Sequence, residues 1–215
     1  MIKKLENNFK QKKNILIISS VWPHHSNSFE AANTVSFNIV KSLAMLAKFN
    51  IFYLYINNTD YQIQKNGKKD IEYLKKKKVL FLKSLTGKKK LNHYSNVLKK
   101  LLNFFINPKL LLNGIQYDDE VNQMICNYKI DMAFVVWSEI GVNALHNASI
   151  PKLAYLGNIE HKVLEAISKS HYLTEYKISN FQKFFTYLKT LIYSIIIKRA
   201  SFMVLKDFDQ TYNVA

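Results

Sequence analysis

The first loop with chemically useful side chains, "SSVWPHHSNSFEAAN", follows an apolar run near the start of the chain. It places His24, His25, Ser26 and Asn27 next to one another. Imidazole, hydroxyl and amide groups donate and accept hydrogen bonds, so they suit sugar hydroxyls and a phosphate. A helical pattern follows, and a helix N-terminus offers further unpaired N–H groups to an anion. We therefore predict that these four residues contact substrate.

The same loop lacks the glycines of the common nucleotide-binding turns. It contains neither G-x-G-x-x-G nor G-x-x-x-x-G-K-[ST], whose glycines let the backbone approach phosphates closely. A nicotinamide-dependent reductase and a P-loop NTPase are therefore disfavoured. Paired histidines also suit a metal, but no third ligand stands at a suitable spacing, and we expect neither a metal nor a cofactor. The alternative interpretation is that His24 and His25 are an ordinary solvated pair.

A second polar loop follows the apolar run "DMAFVV" and contains Trp137, Ser138 and Glu139. An indole ring stacks well on a sugar face, and a carboxylate accepts hydroxyl protons, so we predict substrate contacts here. The alternative is that Trp137 belongs to the core and that Glu139 favours the start of the next helix.

A third loop, "LGNIEHK", contains Gly157, Asn158, Glu160 and His161. Gly157 permits a tight backbone turn, and the polar side chains supply hydrogen-bonding groups for a substrate. His161 is the candidate catalytic residue, because an imidazole can orient a reacting hydroxyl or stabilise leaving-group charge. The alternative is that Glu160 and His161 lie in the first turn of a helix and face water.

Short apolar runs alternate with helical patterns along the chain, which predicts an α/β fold. We expect a Rossmann-like parallel sheet of about six or seven strands with helices on both faces. Ligands bind such sheets at the carboxyl ends of the strands, where the three loops leave. The predicted strands are Ile15–Ser20, Ile51–Ile56, Val79–Leu82, Met132–Trp137, Lys152–Leu156 and Phe202–Leu205.

The helical patterns complete one domain over residues 14–215, preceded by a basic tail over residues 1–13. Asn33 or Thr34 is expected to cap the first helix. Cys126 lies next to Ile125 in a helical pattern and is expected in the core. The predicted helices are Thr34–Lys48, Leu91–Ile106, Gln116–Tyr128, Glu160–Ser170 and Glu175–Lys198, with a short one between the second and third strands.

The formal net charge of +16 comes almost wholly from lysine, since Arg199 is the only arginine. Base reading and bidentate phosphate binding favour arginine, so we expect no specific nucleic-acid partner. An anionic membrane remains a possible partner, with the basic helix Leu91–Ile106 lying on it. The alternative is an ordinary helix with its lysines in water.

The single Cys126 cannot form an internal disulfide, which favours a reducing, cytoplasmic location. Cations interrupt the long apolar region between Phe181 and Leu205, so we expect no transmembrane helix. The protein is therefore expected in the cytoplasm or peripherally on the inner face of the cell membrane.

Four stretches together resemble the N-terminal half of a GT-B glycosyltransferase, specifically the family 4-like N-terminal domain. They are "ILIISSVWPHHSNSFEAANTVSFNIVKSLA", "DMAFVVWSE", "PKLAYLGNIEHKVLEA" and "KRASFMVLKDFDQTYNV". The resemblance covers nearly the whole chain. It implies a retaining, metal-independent, hexosyltransferase-like enzyme that moves a sugar from a nucleotide sugar to an acceptor.

The resemblance also implies a division of labour between two domains. The first domain holds the acceptor, here a glycan or lipid-linked molecule of cell-surface polysaccharide synthesis, and its first loop approaches the donor phosphates. A second domain binds most of the nucleotide-sugar donor. We expect that domain to be absent from this chain, supplied by a longer protein or a partner chain, and we expect weak donor binding and poor turnover without it. The alternative is a non-catalytic basic α/β module that binds an anionic membrane or partner.

Overall fold

A computed structural model describes residues 12–25, 31–46, 48–57, 65–87, 112, 114–157 and 180–213. The strands are β1 (Lys13–Ser19), β2 (Phe49–Asn57), β3 (Leu80–Phe81), β4 (Leu85–Thr86), β5 (Met132–Val136), β6 (Lys152–Leu156) and β7 (Gln210–Asn213). The α-helices are α1 (Ala31–Met45), α2 (Lys65–Lys76), α3 (Asp118–Asn127), α4 (Glu139–Ala144) and α5 (Asn180–Leu205). A 3-10 turn at Ile115–Tyr117 leads into α3.

The strands form one seven-stranded sheet in the order β3-β2-β1-β5-β6-β7, with β4 paired to β2. Every described strand pair is parallel. The prediction of a Rossmann-like α/β sheet is therefore confirmed. Because the chain continues from β1 to one side and later returns as β5 on the other, the strand order reverses between these two strands.

The central strand β1 is buried on both faces, which explains its uninterrupted apolar sequence. Its side chains alternate between two cores: Leu16 and Ile18 enter one, and Ile15 and Ile17 enter the other. The first core is completed by α3, α4 and α5 through Val121, Ile125, Val142, Ala144, Ala200 and Val204. The second is completed by α1 and α2 through Phe37, Val40 and Leu74. Helices thus cover both faces of the sheet.

The predicted strand Phe202–Leu205 is wrong, because these residues form the last turn of α5. Phe202 is 71% exposed, which a strand buried on both faces would not allow. A run of four apolar residues is too short to distinguish the two-residue period of a strand from the 3.6-residue period of a helix. Here the run is the end of a long helix. The last strand is β7, whose polar sequence "QTYN" suits the sheet edge.

Two smaller expectations also fail. The helix α1 begins at Ala31, so Asn33 and Thr34 lie within its first turn and are not its cap. Cys126 is exposed, although we expected it in the core. The buried positions of α3 are Val121 and Ile125, spaced by four residues, and the next position is rotated by about 100° toward solvent.

Several predictions lie outside the described residues. They concern the basic tail up to residue 11 and the helices predicted at Leu91–Ile106 and Glu160–Ser170. The predicted start of the last helix at Glu175 also lies outside them, whereas its predicted end at Lys198 falls within α5, which continues to Leu205.

Candidate functional site

The candidate site lies where β1 and β5 end side by side. The helix that follows β1 packs on one face of the sheet, and the helix that follows β5 packs on the other. In open parallel sheets a ligand crevice forms at such a reversal of strand order. Ser20 and Ser138 follow the two strands, and their hydroxyl oxygens are 2.6 Å apart. A hydrogen bond between side chains therefore spans the reversal point.

Ser138 also begins the helix α4. Its hydroxyl oxygen accepts a hydrogen bond of 2.8 Å from the backbone N–H of Gly141, as an N-cap residue does. A Cβ at Gly141 would lie 2.7 Å from the Ile18 side chain, so glycine allows the helix to approach β1 closely. Glu139 is half-buried in the first turn of this helix. The prediction placed Ser138 and Glu139 correctly at the carboxyl end of β5.

Trp137 has a backbone conformation that is rare for a bulky residue. Its φ of +51° lies in the left-handed region, where side chains other than glycine are strained. Its backbone N–H donates to the Tyr155 carbonyl at 2.8 Å. Its indole Nε1 is buried and has no hydrogen-bond partner in the described part of the chain. Strain and an unsatisfied donor therefore coincide at the end of β5.

Gly157 is next to this indole ring, which explains why a glycine stands after β6. A Cβ at Gly157 would overlap Cζ3 and Cε3 of Trp137. The sequence predicts a tight turn at Gly157, and the backbone bends there without the positive φ that Gly87 and Gly114 have. The structural role of Gly157 is to leave space for the ring, and the two predicted residues are thus in contact.

His24 is buried in a network of its own loop. The Asn33 amide nitrogen donates to the Trp22 carbonyl at 2.9 Å and lies 3.1 Å from His24 Nε2. That nitrogen is therefore the acceptor, and Nδ1 donates to the His25 carbonyl at 3.2 Å. Both ring nitrogens are used within the protein, which makes His24 a residue that shapes the loop.

His25 faces the helix α2. Its backbone N–H donates to Asp70 Oδ2 at 2.7 Å, and its Nδ1 is 3.6 Å from the same oxygen. Its ring centroid lies 4.3 Å from that of Phe37. The side chain is 53% exposed, so it remains accessible at the rim of the loop.

Tyr53 holds the loop after β1 through its hydroxyl group. Its hydroxyl donates to the Val21 carbonyl and lies 3.2 Å from the Ser36 hydroxyl. Its side chain is fully buried, and this burial raises the pKa of the Tyr53 hydroxyl well above its ordinary value. The folded protein therefore favours the neutral phenol at this position.

This raised pKa predicts an alkaline loss of stability that Tyr53→Phe removes. The unfolded chain ionises Tyr53 near pH 10, whereas the folded chain does not, so its contribution is complete below that pH and is lost above it. Between about pH 10 and pH 11 the free energy of unfolding should fall by about 1 kcal/mol more in wild type than in Tyr53→Phe. Urea titrations measure this difference, and Tyr212→Phe, at an exposed tyrosine, is the control. Parallel pH profiles for wild type and Tyr53→Phe would contradict it.

A partly buried polar cluster around Asp118 was not predicted from the sequence. Asp118 accepts hydrogen bonds from Asn147 at 2.8 Å and from Asn122 at 3.2 Å. His146 Nδ1 is 3.3 Å from Asp118 Oδ1, although its N–H direction does not meet hydrogen-bond geometry. This cluster ties the start of α3 to the turn after α4 and so supports the helix that carries Ser138. Asp118 and Asn147 are 29 positions apart, so no local sequence pattern indicates their contact.

Five predicted site residues lie outside the described residues: Ser26, Asn27, Asn158, Glu160 and His161. The structure brings Trp137 and Gly157 together and places Ser138 and Glu139 at the same edge. It directs His24 and His25 toward α1 and α2. Within the described ranges, no three side chains of histidine, cysteine, aspartate or glutamate are grouped so that they could hold a metal ion.

The fold and this edge define a Rossmann-like α/β protein with a candidate crevice between β1 and β5. Searches of family models, curated proteins and solved structures found no match to the chain.

Proposed function

We propose that this chain is the acceptor-side domain of a retaining glycosyltransferase. The observation that carries the proposal is the left-handed Trp137 with its unpartnered, buried indole N–H at the end of β5. Both features cost free energy, roughly 1–3 kcal/mol each, and such costs concentrate at functional sites. A ligand that accepts a hydrogen bond from Nε1 would offset one of them.

The chemistry of this edge favours a hydroxyl-rich ligand. Ser20 presents a half-buried hydroxyl group, which both donates and accepts hydrogen bonds. Ser138 is itself buried as the N-cap of α4, and its bond to Ser20 orients that hydroxyl. Trp137 precedes Ser138 in the chain, and its indole ring suits the apolar face of a sugar. Glu139 begins the helix beside them and is proposed to accept hydroxyl protons from the acceptor.

The remaining roles are assigned by the resemblance. His161 is proposed to act as the catalytic residue, with Asn158 and Glu160 beside it, and Ser26 and Asn27 are proposed to approach the donor phosphates. Because His24 uses both ring nitrogens within the protein, we assign it to shaping this loop. The acceptor is a glycan or lipid-linked molecule of cell-surface polysaccharide synthesis, and a second domain or partner chain binds the nucleotide sugar.

Tryptophan fluorescence tests this proposal, because the chain has only two tryptophans, Trp22 and Trp137. In Trp22→Phe the sole reporter is Trp137, and we expect a saturable change in its emission when oligosaccharides are added. Ser20→Ala in the same background should weaken the apparent affinity about tenfold, since the loss of a hydrogen bond to a ligand costs about 1 kcal/mol or more.

The matched control is Trp137→Phe, which leaves Trp22 as the reporter. Its emission should change little with the same sugars, because Trp22 stacks on Tyr55 with ring centroids 4.7 Å apart on one core of the sheet. UDP- and GDP-sugars should bind the isolated chain weakly by calorimetry. Tight binding of such donors, or the absence of any saturable response at Trp137 across an oligosaccharide panel, would contradict the proposal.

A further inference from the structure

The helix α5 has one buried face and one exposed face, and both are apolar. Ala200 and Val204 are buried in the first core, and Ser194 is also buried. The exposed residues form a stripe of large apolar side chains: Phe184, Leu188, Ile192, Ile195, Phe202 and Met203, each at least 38% exposed. We call these six residues the α5 stripe. Contiguous exposed apolar surface of this kind marks an interaction site.

Helical geometry places the α5 stripe on a single face. At about 100° per residue, Phe184, Ile195 and Phe202 fall nearly in line, and Ala200 and Val204 fall on the opposite side. From Phe184 to Phe202 the stripe is about 27 Å long at 1.5 Å per residue. A large flat surface can contact the whole of it.

The charge of α5 identifies the kind of surface. The helix contains Lys183, Lys189, Lys198 and Arg199 and no acidic residue. Lys198 and Arg199 are exposed. The same 100° spacing places Lys198 beside the stripe, about 40° from the line of Phe184 and Phe202, and places Arg199 within it, between Leu188 and Ile192. Exposed apolar side chains together with cations, and no acidic residue, are the pattern of a helix that lies in the plane of an anionic membrane.

We propose that the α5 stripe docks α5 flat onto an anionic lipid surface. Like charges on two copies of α5 would repel, which disfavours a second copy of this chain as the occupant. In the described part of the chain, no helix is long and apolar enough to cross a bilayer. The proposal does not rest on the transferase function, because only the surface of α5 carries it.

Vesicle co-sedimentation of the full chain tests the proposal. We expect binding to vesicles of equal parts phosphatidylglycerol and phosphatidylcholine, and little binding to phosphatidylcholine alone. Raising the salt from about 0.1 M to about 1 M should weaken binding, because it shortens the Debye length from about 10 Å to 3 Å. Lys198→Glu with Arg199→Glu should reduce partitioning at least tenfold.

Two matched controls separate the α5 stripe from the general positive charge. Lys68→Glu with Lys69→Glu makes the same change in net charge on exposed residues of α2 and should reduce partitioning much less. Ile195→Ser with Phe202→Ser should also reduce it at least tenfold, whereas Met45→Ser with Leu46→Ser removes exposed apolar surface elsewhere and should not. Circular dichroism confirms that each variant is folded.

Three results would overturn the proposal. The first is that folded wild type does not bind anionic vesicles at low salt. The second is that the α5 variants and their controls lose binding equally, which would assign the attraction to overall charge. The third is that size-exclusion chromatography shows a dimer that the Ile195→Ser, Phe202→Ser variant dissociates, which would make a second copy the occupant.

Discussion

Replacing Gly114 with alanine is expected to lower the free energy of unfolding by about 3 kcal/mol, combining backbone strain with overpacking. Gly114 has a φ of +109°, which L side chains rarely adopt. A Cβ there would also overlap the backbone carbonyl oxygen of Ile140 and lie 2.9 Å from its carbonyl carbon and Cα. Because backbone atoms cannot rotate away as a side chain can, the start of α4 would have to move.

Gly87→Ala is the matched control for this substitution. Gly87 also has a positive φ, +73°, but nothing lies within 4 Å of a Cβ built there. The free energy of unfolding of Gly87→Ala should therefore fall only by the cost of the left-handed conformation, about 1–2 kcal/mol. Urea denaturation of the two variants measures the difference. Equal losses would show that the contact with Ile140 contributes nothing to the cost.

Replacing Gly157 with alanine is expected to lower the free energy of unfolding by about 2 kcal/mol, the ordinary cost of overpacking. The added methyl group would overlap the Trp137 ring, so the ring or β6 must shift. Trp137 emission should change with the substitution, because the added methyl group lies against the ring. Urea denaturation and fluorescence spectra measure the two effects together.

A double-mutant cycle tests whether this cost comes from the Trp137 ring. In a Trp137→Leu background, Gly157→Ala should cost less than about 1 kcal/mol, since the smaller side chain leaves room for a methyl group. In a Trp22→Phe background the substitution should keep its full cost, because the three atoms nearest to a Cβ at Gly157 all belong to Trp137. If the cost is the same in all three backgrounds, the contact is not its origin.

The sequence was informative where burial on both faces leaves a local pattern. The apolar runs at β1, β2, β5 and β6 were predicted to within a few residues, because strands covered on both sides must be apolar throughout. The same rule failed at Phe202–Leu205. A helix with apolar side chains on its exposed side as well as its buried side also gives a continuous apolar run. It also missed β7, whose edge position permits a polar sequence.

The candidate site was predictable in position and less so in detail. The carboxyl ends of parallel strands must meet at one edge, so Trp137, Ser138 and Gly157 could be placed there from the sequence. The left-handed conformation of Trp137 and its contact with Gly157 depend on the packing of β5 against β6, which no local pattern encodes. For the same reason the sequence did not show that His24 bonds Asn33.

The pairing of β1 with β5 also sets the order in which the sheet can assemble. Ile15 pairs with Ile51 of β2 on one side and with Met132 of β5 on the other, and Met132 follows it by more than one hundred residues. Contacts between segments far apart in the chain form slowly, because a long loop must close first. During synthesis, β1 and β2 can pair while the other edge of β1 is still open. Until β5 emerges, that edge of β1, with its apolar run Ile15–Ile18, is open to pairing with other chains.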